Sequence, residues 1–228
     1  MRAHDYPTPS IDECIAVDHY FANRLAPSDP VLQQVLAANA AAGMPPHDVA
    51  AVQGQFLAVM VQICQAKRVL EIGTLGGYST ICMARALPAG GRITTIDNNA
   101  AFAAVAKNNF ALAEMSERID QKVGTALDVL ATLEGPFDLI FIDADKPNNP
   151  AYLDAVLKLS RVGTTIIGDN VVRGGAVSNP NSADPNVLGV QHFLQKLASN
   201  PNLNSTALQT VGEKGWDGFS LTVVNALP

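Results

Sequence analysis

The chain has 228 residues, 48% of them hydrophobic and 16% charged, with a formal net charge of −6. That length and apolar content support one large domain with a buried core and exclude a disordered chain. The acidic balance argues against a broad surface for nucleic acid or anionic membrane, though not against a local basic patch.

Met1 to Pro9 reads as a polar tail without the apolar core of a signal peptide. Residues 11–25 place Ile11, Ile15, Val17, Tyr20, Phe21 and Leu25 at helical intervals. Ser28 and Asp29 form a cap ahead of Pro30, opening a helix near 31–42 that ends at Gly43. Pro45-Pro46-His47-Asp48 starts a third helix running to about Cys64. The rhythm then changes to alternating strands and helices. Strand 69–72 leads through a glycine turn to a helix near 79–87. Strand 92–96 ends at Asp97 and precedes a helix near 100–115. A short strand near 119–123 precedes Gly124-Thr125-Ala126 and a short helix. The fourth strand ends at Ile142, a helix spans about 152–160, and 164–167 is the fifth strand.

Residues 178–186 are rich in proline and asparagine and read as a surface loop near the site. Helix 187–198 and two strand-like runs, 205–211 and 219–224, complete the chain. A glycine-studded turn, 212–218, joins the last two, which should therefore be antiparallel. The expected architecture is α/β: a doubly wound, Rossmann-like, seven-stranded, mostly parallel sheet with helices on both faces and an antiparallel C-terminal hairpin. Residues 1–64 form an N-terminal helical cover and 65–228 the α/β core of a single domain. Cys14, Cys64 and Cys82 are odd in number and far apart, so buried reduced thiols are expected rather than a disulfide or zinc site. No apolar run is long enough to span a bilayer. A cytoplasmic protein is expected, with no membrane partner.

Two strand ends carry chemistry. Leu139-Ile140-Phe141-Ile142 is a continuous apolar run of the kind buried on both faces, and it breaks into Asp143, Asp145 and Lys146. Pro147 disfavours a helical backbone at Lys146, which leaves these charges on a loop. Thr164-Thr165-Ile166-Ile167 breaks at Gly168 into Asp169 and Asn170. If the two strands are parallel neighbours, Asp143, Lys146, Asp169 and Asn170 meet in one crevice at the ligand-binding edge of the sheet. A third feature is the loop Gly73-Thr74-Leu75-Gly76-Gly77-Tyr78-Ser79, preceded by Glu71 and followed one strand later by Asp97. It lacks the spacing of a dinucleotide fingerprint and the Gly-Lys-Ser/Thr end of a phosphate loop. A glycine turn with an acid at the next strand end suits an adenosine-type cofactor. The bland alternative is a packing turn with Asp97 as a helix cap.

At this point the chain resembles the cation-dependent, S-adenosylmethionine-dependent O-methyltransferases of the caffeoyl-CoA and catechol type. The motifs are Gly54-Gln55-Phe56-Leu57, Arg68 to Thr74 with Gly77-Tyr78-Ser79, Ile142 to Lys146, Asp169-Asn170-Val171 and Trp216-Asp217-Gly218-Phe219. The resemblance covers nearly everything from Gly54 to Val224. It implies that Asp143, Asp169 and Asn170 hold a divalent metal and that Lys146 is the general base. Glu71, Gly73, Thr74, Gly77, Tyr78 and Ser79 would take the methionine part of the cofactor. Asp97, with Asn98, would take the ribose, and Gly124, Thr125 and Ala126 the adenine side. Asp143 would also lie near the methyl donor. The resemblance implies a homodimer as well. The chain departs from the family pattern at Pro147-Asn148-Asn149-Pro150, where a tyrosine is missing from position 149, and at Arg173, where plant members often carry an aromatic residue.

Two carboxylates and an amide oxygen are hard ligands, suited to magnesium, calcium or manganese. The metal would bind the adjacent hydroxyls of a diol and stabilise the oxyanion. A cation beside Lys146 would favour loss of the ammonium proton. The expected substrate is a small aromatic diol of catechol, caffeoyl or flavonoid type. The bland reading of Lys146 is a solvated salt bridge to Asp143 or Asp145. Asp145 is read as orienting its loop. Tyr78 fits cofactor packing and core filling equally, and Trp216 is read as an anchor for the hairpin rather than a substrate wall. His4, His19, His47 and His192 are read as surface or capping residues.

Three rivals stand beside this reading. A hydroxylated tRNA base as acceptor keeps the chemistry but needs a basic surface. A nicotinamide oxidoreductase would need the glycine spacing and a tyrosine followed four residues later by lysine, both absent. A non-catalytic binding protein would not need the intact set at Asp143, Lys146, Asp169 and Asn170.

Overall fold

A computed structural model describes residues 6–26 and 29–227. Most of the predicted tail, the Ser28 part of the predicted cap, and His4 lie outside the described residues. Among the described residues eight α-helices and seven strands follow in chain order: α1 (Ile11–Leu25), α2 (Pro30–Ala41), α3 (Ala51–Ile63), β1 (Arg68–Ile72), α4 (Tyr78–Ala86), β2 (Arg92–Asp97), α5 (Ala100–Leu112), β3 (Ile119–Val123), α6 (Ala126–Leu130), β4 (Phe137–Ile142), α7 (Asn149–Lys158), β5 (Ser160–Asp169), α8 (Pro185–Ser199), β6 (Leu203–Gly212) and β7 (Gly215–Val224). The strands form one sheet in the order β3-β2-β1-β4-β5-β7-β6. The first five are parallel, and β7 runs antiparallel to both β5 and β6. This is the expected seven-stranded architecture.

The period-two rule sorts the strand residues onto two faces. Val69, Ile93, Leu139, Phe141 and Ile167 face a core shared with Leu57 and Val61 of α3, Ile81 of α4 and Phe110 of α5. Leu70, Ile72, Ile96, Ile140, Ile142 and Ile166 face the opposite core, with Leu153 and Val156 of α7 and Phe193 of α8. Burial on both faces is why these strands read as unbroken apolar runs.

Local chemistry starts the helices. Ser10 and Glu13 form a capping box at α1, Asp29 caps α2 ahead of Pro30, Asn99 caps α5, and Asp184 caps α8 ahead of Pro185. The N-terminal helices rest on other helices and on the edge of the sheet. α3 packs on α4, α2 on α5 and α4, and α1 on the edge strand β6 and on α3.

Three sequence-based boundaries shift. The helix expected from Pro45 begins at Ala51, with no side-chain cap. Asp48, the acid proposed near its start, instead accepts a hydrogen bond from Asn39 at 2.9 Å, and residues 45–50 form neither helix nor strand. Strand β5 spans Ser160–Asp169 rather than 164–167, because Ser160 pairs with Phe137 of β4 and Asp169 with Phe219 of β7. The terminal turn is only Glu213-Lys214, and Trp216 to Gly218 belong to β7.

Candidate active site

A cleft of about 670 Å³ opens at the C-terminal ends of β1, β2, β4 and β5. β4 and β5 are adjacent and parallel, with Ile142 beside Gly168. Asp143, Lys146, Asp169 and Asn170 therefore line one hollow. Gly73, Thr74, Tyr78, Ser79, Asp97, Asn98, Gly124 and Ala126 line it too. Glu71, Gly77 and Thr125, expected to touch the cofactor, do not line it.

Lys146 is buried, and its Nζ donates to Asp143 Oδ1 at 2.9 Å. The pair is thus a contact inside the cleft wall rather than the solvated bridge of the bland reading. Asp145 accepts from Asn148 at 2.6 Å and from the Tyr152 hydroxyl, which fixes the loop as expected. Asp169 is only 3% exposed. Burial first, and then the negative charge of Asp143, holds its carboxyl above the ordinary range, while Lys146 pulls the other way. Its Oδ1 accepts the Asn170 N–H at 2.8 Å. Asn170 takes a left-handed backbone, φ +56°, a conformation asparagine tolerates better than most residues. The two carboxylates and the amide are hard donors, and the charge of Asp143 beside the buried Asp169 is one that a hard cation would relieve. Among the described residues no cluster of three His, Cys, Asp or Glu side chains is placed to hold a metal. Any cation here would rely on the amide oxygen of Asn170 and on exogenous oxygens.

The glycine loop is tied to the same place. At Gly73, φ +99°, a Cβ would fall 2.0 Å from the Asp143 carbonyl oxygen, so only glycine lets β1 turn against the start of the Asp143 loop. Asp97 does not cap α5; Asn99 does. Instead Asp97 Oδ2 accepts the N–H groups of Thr74 and Leu75 at 3.2 and 2.8 Å, which shapes the loop from the next strand.

Glu71 lies beneath the floor with no exposure. Its carboxylate accepts the hydroxyls of Ser79, Thr80 and Thr95. Burial pushes its pKa up to about 7 in spite of those three donors. Tyr78 is both core and cleft wall. Trp216 donates to Gln209 at 2.8 Å within the hairpin and does not line the cleft.

Sequence reasoning missed several groups. Gln53 of α3 reaches Asp169 Oδ2 at 2.7 Å. Asn109 donates to Asn39 and to the Gly76 carbonyl at 2.9 and 2.8 Å, bracing the glycine loop from α5. Lys214 lines the cleft too, as does His47, a surface or capping residue on the sequence reading. Gln53, Asn39 and Asn109 lie far in sequence from the strand end and loop they meet, and no local pattern pairs them.

The O-methyltransferase family profile matches residues 23–222. A catechol O-methyltransferase of Mycobacterium tuberculosis is 46% identical over 209 residues, covering 91% of this chain and 94% of that protein. The crystal structure of an O-methyltransferase from Bacillus cereus in complex with SAH is 50% identical, with a TM-score of 0.92, over 94% of this chain and 100% of that one. The O-methyltransferase TomG from Streptomyces achromogenes, in complex with SAM, is 42% identical, with a TM-score of 0.92, over 96% of this chain and 100% of that one. The sheet, the cleft and these matches agree: the chain belongs to the O-methyltransferase family and is an S-adenosylmethionine-dependent methyltransferase.

Proposed function

We propose that this enzyme is divalent-cation-dependent and methylates one hydroxyl of a vicinal diol on a small aromatic acceptor of catechol, caffeoyl or flavonoid type. The observation that carries the reading is the meeting of Asp143, Lys146, Asp169 and Asn170 in the cleft that also holds the glycine loop and Asp97. Asp143, Asp169 and Asn170 would hold the cation, with magnesium, calcium or manganese suited to that oxygen set. When bound, the cation would supply positive charge that stabilises the acceptor oxyanion.

The chain's own residues do the rest. Gly73 to Ser79 would cradle the methionine end of the cofactor, Asp97 and Asn98 its ribose, and Gly124 and Ala126 the adenine side. Glu71 supports that cradle from below by fixing Ser79 and Thr80. Lys146 Nζ takes the proton from the acceptor hydroxyl. Asp143 holds that amine at 2.9 Å, and burial keeps it from bulk water. Positioning and charge stabilisation then account for catalysis of an in-line transfer.

The acidic chain weighs against a nucleic-acid acceptor. A homodimer is part of this reading. α1 buries none of its residues, and Val17, Tyr20, Phe21 and Leu25 of α1 and Leu208 of the strand it packs on are exposed, an apolar surface suited to a second copy. The test is a methyl-transfer assay over catechols, caffeoyl esters and flavonoids. Asp169→Ala and Asn170→Ala should each remove metal-dependent turnover while leaving SAH binding within about threefold, the size of effect expected when only the metal set is touched. Unchanged turnover in both variants would reject the cation role.

A further inference from the structure

The first of the resemblance motifs along the chain, Gly54-Gln55-Phe56-Leu57, lies on α3 and has no part in the scheme above. The residue before it does touch the site. Gln53 Nε2 donates to Asp169 Oδ2 at 2.7 Å, across 116 positions of sequence. Asp169 Oδ1 accepts the Asn170 N–H at 2.8 Å. Both carboxylate oxygens are therefore held, one from the local strand end and one from the N-terminal cover, which fixes the plane of the carboxylate.

Gly54 makes that reach feasible. A Cβ at position 54 would stand 2.9 Å from Cys82 Sγ and 3.1 Å from Tyr78 Cε1. Without it, α3 lies directly against α4, the helix that the glycine loop opens. The residue next to the closest approach of the two helices is thereby presented to the cleft, which Gln53 lines. A glutamine suits the position chemically. It donates one N–H to a nearly buried carboxylate and adds no charge, whereas a third carboxylate would raise the repulsion already present between Asp143 and Asp169.

We propose that Gln53 is a positioning residue for the cation ligand Asp169, so that the seating of α3 on α4 sets part of the protein's metal affinity. The proposal rests on the reading of Asp143, Asp169 and Asn170 as cation ligands. A contact that only fastened α3 to the sheet would alter stability and leave metal affinity alone.

The test is Mn²⁺ titration of the full-length protein, following the free-ion signal by electron paramagnetic resonance, with wild type, Gln53→Leu and Gln53→Asn. The leucine keeps the bulk and loses the donor; the asparagine keeps the amide and draws it out of reach. Both should bind Mn²⁺ about 10–100-fold more weakly, as removal of an outer-shell partner does. SAH affinity, measured by calorimetry, should stay within about threefold, since the cofactor cradle is untouched. Turnover should recover toward wild type at saturating Mn²⁺, which a misfolded variant would not do. Equal Mn²⁺ affinity in wild type and both variants overturns the proposal and leaves the cation reading standing. Failure of wild type itself to bind Mn²⁺ defeats that reading and the proposal together.

Discussion

Lys146 and Glu71 show how burial assigns work to single ionisable groups. Lys146 is almost enclosed and touches Asp143, so its amine has a fixed place in the cleft rather than a solvated one. Replacing it with alanine should lower the turnover number by about 100-fold or more, the usual contribution of a positioned base. SAH affinity measured by calorimetry should change little; a variant with near-normal turnover contradicts the assignment. Glu71 makes a different case. Its ordinary pKa of 4.5 rises to about 7 in the fold, with burial as the leading cause. Between those values the native state binds more protons than the unfolded chain, so this group's contribution falls as pH rises through the window and the cost is complete above about 7. The shift corresponds to roughly 3 kcal/mol. Glu71→Gln cannot titrate. Urea unfolding from pH 4.5 to 7.5 should therefore show the variant gaining stability relative to wild type, and a pH-independent difference would contradict the argument.

At the scale of elements, much of the architecture was legible because it depends on short-range signals. Doubly buried strands such as Leu139 to Ile142 announce themselves as apolar runs, and the acids that follow mark the strand ends. Asp143 and Lys146 are three residues apart, so one stretch of sequence displays both. Asp169 and Asn170 could be joined to them only by assuming that β4 and β5 are neighbours, which the sheet order bears out. What stayed hidden is tertiary pairing. Gln53 meets Asp169 and Asn39 meets Asn109 across 116 and 70 positions. The start of α3 was misplaced for a related reason. Pro45 and Pro46 suit a first helical turn, but Asp48 is drawn to Asn39, and the helix does not begin until Ala51.

The hairpin contributes in a way its glycines did not reveal. Asp217 Oδ1 on β7 accepts the N–H groups of Val172, Arg173 and Gly218 at 3.0, 3.1 and 3.0 Å. It clips down the segment after Asn170, where Arg173 also adopts a positive φ of +57°. Asp217→Ala leaves those donors without their acceptor and should cost about 1–3 kcal/mol. Thermal unfolding should detect this as a fall of several degrees. An unchanged midpoint would show that the clip holds nothing in place.

For the whole molecule, the exposed apolar residues of α1 and β6 bear on assembly. Sedimentation should give a mass near twice 24.0 kDa, and Phe21→Asp combined with Leu208→Asp should shift the protein to the monomer. A monomeric wild type would contradict the dimer. The larger claim is that the fold brings two parallel strand ends together so that one cation and one amine act on a single acceptor hydroxyl. The most direct measurement is the initial rate of methyl transfer to a catechol in excess chelator and again after Mg²⁺ is restored. The account expects a loss of about 100-fold or more that added Mg²⁺ reverses, given the several kcal/mol a Lewis acid supplies. Full activity in the chelator would contradict it.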